Sequence, residues 1–157
     1  MSVEQENKKI VRRFFEEFWN ERKLEIAEEI FAPGAVTHQL QSGAETAGVP
    51  RGGKAVREHA GEWLRAFPDL RFTVERMIAE GDLVVTYATM RGTHAENWLG
   101  IPAGGKRVGI TMAVTHRIDG GKITADWVLV ESLGFFQQLG LLPPTEEFMS
   151  DGAQQLK

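Results

Sequence analysis

Between Val108 and Ile118 every second residue is apolar or a histidine: Val108, Ile110, Met112, Val114, His116 and Ile118. A period of two is the period of a pleated strand, so this segment lays one face against an apolar interior. That face also carries an imidazole. Burying an imidazole among aliphatic side chains is costly unless it is hydrogen-bonded or opens on a wet cavity. The chain therefore needs a sheet whose inner face is apolar and yet encloses something polar.

Neighbouring segments supply the rest of that sheet. Asp119-Gly120-Gly121 is a hairpin signal, and beyond it Ile123, Trp127, Leu129 and Glu131 share one parity. Carried through an unbroken strand, this parity points Glu131 into the interior beside His116 and turns Asp126 outward with Val128 and Val130. Leu83 to Thr93 is a β-branched run after the turn Glu80-Gly81-Asp82, and Leu70, Phe72 and Val74 begin a strand running toward Ile78. Val36, His38 and Leu40 alternate in a short strand.

Helical spacing dominates the first part of the chain. Ile10, Val11, Phe14, Phe15, Phe18 and Trp19 make one stripe between Glu4 and Asn20, and the aromatics of that stripe are expected in the core. Leu24, Ala27, Ile30 and Phe31 repeat the pattern in a shorter helix ended by Pro33-Gly34. Val56, Ala60, Trp63, Leu64 and Phe67 mark a third helix from Lys54, with His59 packed against the sheet, and Leu133, Phe136 and Leu139 a last one. Helices in front and hairpin-linked strands behind predict an α+β domain spanning 1–157, with helices on one face of a curved, mostly antiparallel sheet. Such a sheet leaves a concave pocket of the kind that holds small molecules. Its mouth depends on the loops Gln41–Gly53 and Glu96–Gly104, where Trp98 is placed to cover it.

Composition narrows the chemistry. Net charge is −4 with both signs interspersed, so nucleic acid is not an expected partner. No uncharged run is long and apolar enough for a bilayer, no signal peptide is read at the N-terminus, and there is no cysteine. Together these features predict a cytoplasmic protein without disulfides, thiolate metal sites or a cysteine nucleophile. Arg51-Gly52-Gly53-Lys54 lacks the P-loop pattern, no Gly-x-Gly-x-x-Gly follows a strand, and no Gly-x-Ser-x-Gly elbow is present. No nucleotide cofactor is therefore expected. Metal binding would require His38, His94 and His116 to converge from separate strands, and none is expected.

Several segments resemble a known family: Ala32-Pro33-Gly34-Ala35-Val36-Thr37-His38, Phe67-Pro68-Asp69-Leu70, Gly92-Thr93-His94, Leu99-Gly100-Ile101-Pro102, Gly105-Lys106-Arg107-Val108, Asp126-Trp127 and Gln138-Leu139-Gly140. In this order, from about Val3 to Leu142, they are similar to the SnoaL-like polyketide cyclases of the NTF2-like superfamily. The resemblance implies a cone of curved sheet wrapped by about three helices. It also implies a cofactor-free intramolecular aldol condensation on a polyketide-type ester, with no metal, in a homodimer or tetramer. By this resemblance an acid near the end of the last strand and a neighbouring histidine do the chemistry, which assigns Glu131 and His116 as catalytic. His38, His94, Trp63, Trp98 and Asp126 are assigned to substrate binding. The family's usual acid at the Glu131 position is Asp, and the residue before Trp127 is often Glu where this chain has Asp126; which of Glu131 and Asp126 is the acid/base stays open. A non-catalytic small-molecule-binding module is the alternative.

Overall fold

Ser2 opens the first helix in the computed structural model, which describes residues 1–39 and 48–155. Its hydroxyl accepts from the Gln5 amide and the Gln5 side chain accepts from the Ser2 amide, a reciprocal cap for otherwise free N–H groups. Helix α1 (Val3–Arg13) runs directly into a wider π-helical segment, Phe14–Asn20. There the Glu21 amide donates to the Glu16 carbonyl at 3.0 Å, an i to i+5 closure that sets Trp19 beneath Phe14 with ring centroids 6.2 Å apart. Phe14, Phe15, Phe18 and Trp19 are all buried, as their spacing predicts. Asn20 then clamps the segment to the sheet, donating to the Phe72 carbonyl at 2.9 Å and accepting from its amide at 2.8 Å.

A single turn, Leu24–Ile26, leads into α2 (Ala27–Ile30), and β1 (Phe31–Gln39) follows at once. The helix expected through Phe31 stops one residue early because Ala32, preceding Pro33, is biased toward extended backbone. Pro33 and Gly34 therefore lie inside the strand instead of ending a helix. Leu40 and the loop from Gln41 through residue 47 fall outside the described residues. The chain continues through β2 (Val49–Pro50), α3 (Gly53–Ala66), β3 (Arg71–Glu80) and β4 (Leu83–Thr93). It closes with β5 (Arg107–Asp119), β6 (Lys122–Val130), α4 (Ser132–Gln138) and a terminal α5 (Thr145–Gln155) that no sequence pattern marked. Gly53 lets α3 start against α2: a Cβ there would sit 2.5 Å from the Glu28 Cα.

The six strands form one sheet in the order β2-β1-β6-β5-β4-β3. β1 lies parallel to β6, and the other neighbours are antiparallel. The predicted hairpin is present: Gly120 and Gly121 take φ of 56° and 76°, the left-handed pair a two-residue turn requires. The α+β expectation holds, and the core gathers between the inner face of the sheet and the helices.

A bulge in β6 changes which residues face that core. Ile118 pairs with Ile123, but Arg117 pairs with Ala125, so Thr124 is an extra residue. Beyond it the pairs are His116 with Asp126, Val114 with Val128 and Met112 with Val130. Directly opposed residues share a face. Asp126, Val128 and Val130 thus point inward, and Trp127 and Leu129 outward, the reverse of the unbroken parity. The outer face leaves Val85, Tyr87 and Leu129 exposed. No helix among the described residues is long and apolar enough to cross a membrane.

Candidate active site

Sheet, π-helical segment, α3 and α4 enclose a cavity of about 430 Å³. Its floor is aliphatic (Ile110, Met112, Val114 and Val128), and Phe14, Phe15 and Trp19 close one side. Trp63, Trp98 and Phe135 form an aromatic wall: Trp63 and Trp98 have centroids 4.8 Å apart, and Trp98 and Phe135 5.3 Å. Trp98 is held there by a tight turn, paired to Ile101 in both directions at 3.0 and 2.9 Å. Leu99 at the tip of that turn takes φ of 51°, is 79% exposed, and reaches the cavity rim.

His116 and Asp126 are the titratable groups buried deep in this space, and both line it. The His116 ring sits edge-on to Phe14 and Phe15 at 5.6 and 6.1 Å, and neither ring nitrogen has a partner among the described residues. Burial pushes its pKa down to about 3, so near neutral pH the imidazole is uncharged, offering one N–H and one lone pair. Burial pushes the Asp126 carboxyl up to about 6, against the opposing effects of the Thr37 hydroxyl and the positive charge of Arg51. Asp126 Oδ1 has no partner among the described residues. The carboxyl can change protonation near physiological pH and has an oxygen free for a guest.

The other expected residues divide. Trp63 and Trp98 line the cavity. Glu131 does not: β6 has ended, the side chain is exposed, and its Oε1 accepts from the Gly134 amide at 2.9 Å as the cap of α4. The inward direction expected of it failed because the bulge inverted the strand's parity. His38 pairs in register with Trp127 on the outer side and stacks on that ring at 5.0 Å with planes 5° apart, while its neighbour Thr37 pairs with Asp126 and faces inward. His94 is buried at the far end of β4, stacked on Phe67 at 5.1 Å, and does not line the cavity. Of His38, His116 and Glu131, all expected in the site, His116 alone lines the cavity. Among the described residues no group of three or more His, Asp or Glu side chains could hold a metal ion.

Sequence reasoning missed Thr37, Arg51, His59 and Glu62, all of which line the cavity. The signal for two of them was the face of α3: Val56, His59, Glu62 and Trp63 recur at three- and four-residue spacing. His59 packs edge-on to Trp63 at 6.5 Å. Its pKa is held down by burial and by the Arg51 charge, with Glu62 opposing.

Comparison with curated proteins gives no match. Among solved structures the chain is similar to IdmH, a candidate polyketide cyclase of Streptomyces antibioticus. Identity is 28% and the TM-score 0.72, covering 85% of this chain and 98% of that one. A candidate polyketide cyclase of Acidithiobacillus ferrooxidans is 29% identical, with TM-score 0.72 over 88% of this chain and 97% of its own. A candidate SnoaL-like polyketide cyclase of Jannaschia, at 23% identity and TM-score 0.79 over 92% and 97%, shares the fold. The model of the SnoaL-like polyketide cyclases matches residues 9–139, from within α1 past the end of α4 and across every wall of the cavity, and the chain belongs to that family.

Proposed function

We propose that this protein is a cofactor-independent cyclase acting by intramolecular aldol condensation on a polyketide-type ester or a related small apolar carbonyl compound, with Asp126 as its acid/base. The observation that carries this reading is a buried carboxyl in an aromatic-lined cavity, with one oxygen unpartnered among the described residues and a pKa near 6. Ionised Asp126 takes a proton from the carbon next to a substrate carbonyl, and the C–H electron pair moves into an enolate. The enolate carbon attacks a second carbonyl of the same molecule and forms the ring C–C bond. Asp126 returns its proton to the alkoxide this leaves. His116, uncharged, donates its N–H to the enolate oxygen as charge develops there.

Turnover of screened aromatic polyketide esters and small carbonyl compounds tests the assignment. Asp126→Asn should lose about a hundredfold to ten-thousandfold in rate, while Glu131→Gln keeps wild-type turnover. The reverse result removes Asp126 from the mechanism. A ligand bound equally by wild type and Asp126→Asn, with no turnover of any compound, favours the binding-module reading instead.

A homodimer belongs to the same proposal. Val85, Tyr87 and Leu129, at 39%, 48% and 56% exposure, support it from the outer face of the sheet, which no helix among the described residues buries at these positions. Val128 and Val130, expected on this outer face, line the cavity instead. Sedimentation equilibrium should find a dimer for wild type and a 17.5 kDa monomer for Tyr87→Glu with Leu129→Glu. A monomeric wild type overturns this part.

A further inference from the structure

We propose that Arg51 is the anion-recognition residue of the cavity, so that the substrate carries an acidic oxygen, carboxylate or enolate, beside the carbon that reacts. The inference rests on the reading of this cavity as the substrate site. It specifies a substrate with two unlike ends: a flat apolar body against Trp63, Trp98 and Phe135, and an anionic oxygen on the guanidinium.

Position comes first. The Arg51 amide donates to the Ala35 carbonyl at 2.7 Å, just after β2, whose Val49 and Pro50 pair with Thr37 and Val36. Thr37 in turn pairs with Asp126. Arg51 is thereby tied to the strand next to the acid/base, and it is partly buried and lines the cavity. Asp126 of β6 and His59 of α3 line the same cavity, and the Arg51 charge acts on both. Glu62, the other carboxylate on the lining, lies exposed at the rim.

Chemistry comes second. A guanidinium stays charged and presents a planar fork of donors that matches a carboxylate or a conjugated pair of oxygens. Before proton transfer its charge is balanced by ionised Asp126. After transfer Asp126 is neutral and the enolate bears the negative charge, so the cation is balanced at both ends of the step. An acidic oxygen next to the reacting carbon is the group placed to take over that balance.

Binding separates this proposal from the one beneath it. The probes are 2-naphthoate and 2-naphthamide, of one shape and different charge, read by quenching of the tryptophan emission to which Trp63 and Trp98 contribute. In Asp126→Asn, where the buried carboxylate no longer competes, 2-naphthoate should bind about tenfold to a hundredfold more tightly than the amide. Adding Arg51→Gln should bring the two affinities together, with 2-naphthamide binding unchanged as the control for an intact cavity. A naphthoate preference that survives Arg51→Gln overturns the proposal. Should that variant fail to fold, Arg51→Lys keeps the charge and loses the fork. It should reduce the preference several-fold, and an unchanged preference there overturns the proposal equally. Failure of the Asp126 assignment would read out elsewhere, as turnover retained in Asp126→Asn with the naphthoate preference intact.

Discussion

His116 and Asp126 stand directly opposite one another on β5 and β6, share the inner face of the sheet, and make no hydrogen bond to each other. Burial acts on them in opposite directions, lowering the pKa of the base and raising that of the acid. Both shifts favour the neutral forms. A neutral donor beside a carboxyl that titrates near working pH is the arrangement general acid–base chemistry requires.

The Asp126 shift has a cost in stability. A carboxyl whose folded pKa is about 6, against 3.8 unfolded, is ionised unfavourably in the folded protein at pH 8. The penalty is full above pH 6 and vanishes below the unfolded value. Asp126→Asn should therefore be more stable than wild type by about 1–3 kcal/mol at pH 8, part of the gain being offset by an unpaired amide. At pH 4 that gain is nearly gone and only the cost of the amide remains, so the variant should be no more stable than wild type. Urea unfolding at the two pH values checks this, and a destabilised variant at pH 8 would contradict it.

His116 works in the other direction. Its folded pKa of about 3 lies below the unfolded 6.5, so the unfolded chain takes up the proton first and stability falls as pH drops from 6.5. The slope is about 1.4 kcal/mol per pH unit. In wild type it is largely cancelled between pH 6 and 4, where protonation of Asp126 stabilises the fold. Asp126→Asn should expose the slope, and His116→Gln added to it should remove it. A series of unfolding curves from pH 7 to 4 distinguishes the three proteins.

Glu131, placed outside the cavity, has a structural task that can be measured. Removing its cap of α4 with Glu131→Ala should cost about 1 kcal/mol of stability. Ligand affinity should stay as in wild type. Loss of naphthamide binding without loss of stability would return Glu131 to the site.

Much of this architecture was legible because it rests on periodicity. The alternation from Val108 to Ile118 placed His116 inward, and the aromatic stripe from Phe14 to Trp19 is buried as its spacing required. What sequence could not show was the extra residue at Thr124. No glycine or proline marks it, and a one-residue insertion exchanges every later side chain between the two faces. Asp126 and Glu131 exchanged places for that single reason. His38 was misplaced for a different reason: Phe31, Ala35 and Thr37 form the buried parity of β1, so Val36 and His38, which alternate with them, face outward. Arg51 follows a two-residue strand whose pairing with β1 no local pattern announces.

The pH dependence of turnover ties these groups together. Asp126 must be ionised to accept a proton, so kcat/KM should rise with pH through a single limb near 6, in the free enzyme. His116 is uncharged throughout that range and should add no limb of its own. Arg51 helps to hold the Asp126 pKa down, so Arg51→Gln should move the limb to higher pH while also slowing the reaction at its plateau. Lowered activity alone could follow from a disturbed cavity, whereas a displaced limb requires that the missing charge acted on the titrating group. Asp126→Glu supplies the control, since it keeps a titrating carboxyl and should retain a limb, with its midpoint changed by the longer side chain. A profile that stays in place in Arg51→Gln would separate Arg51 from Asp126, and a profile unaltered in Asp126→Asn would assign the limb to another group.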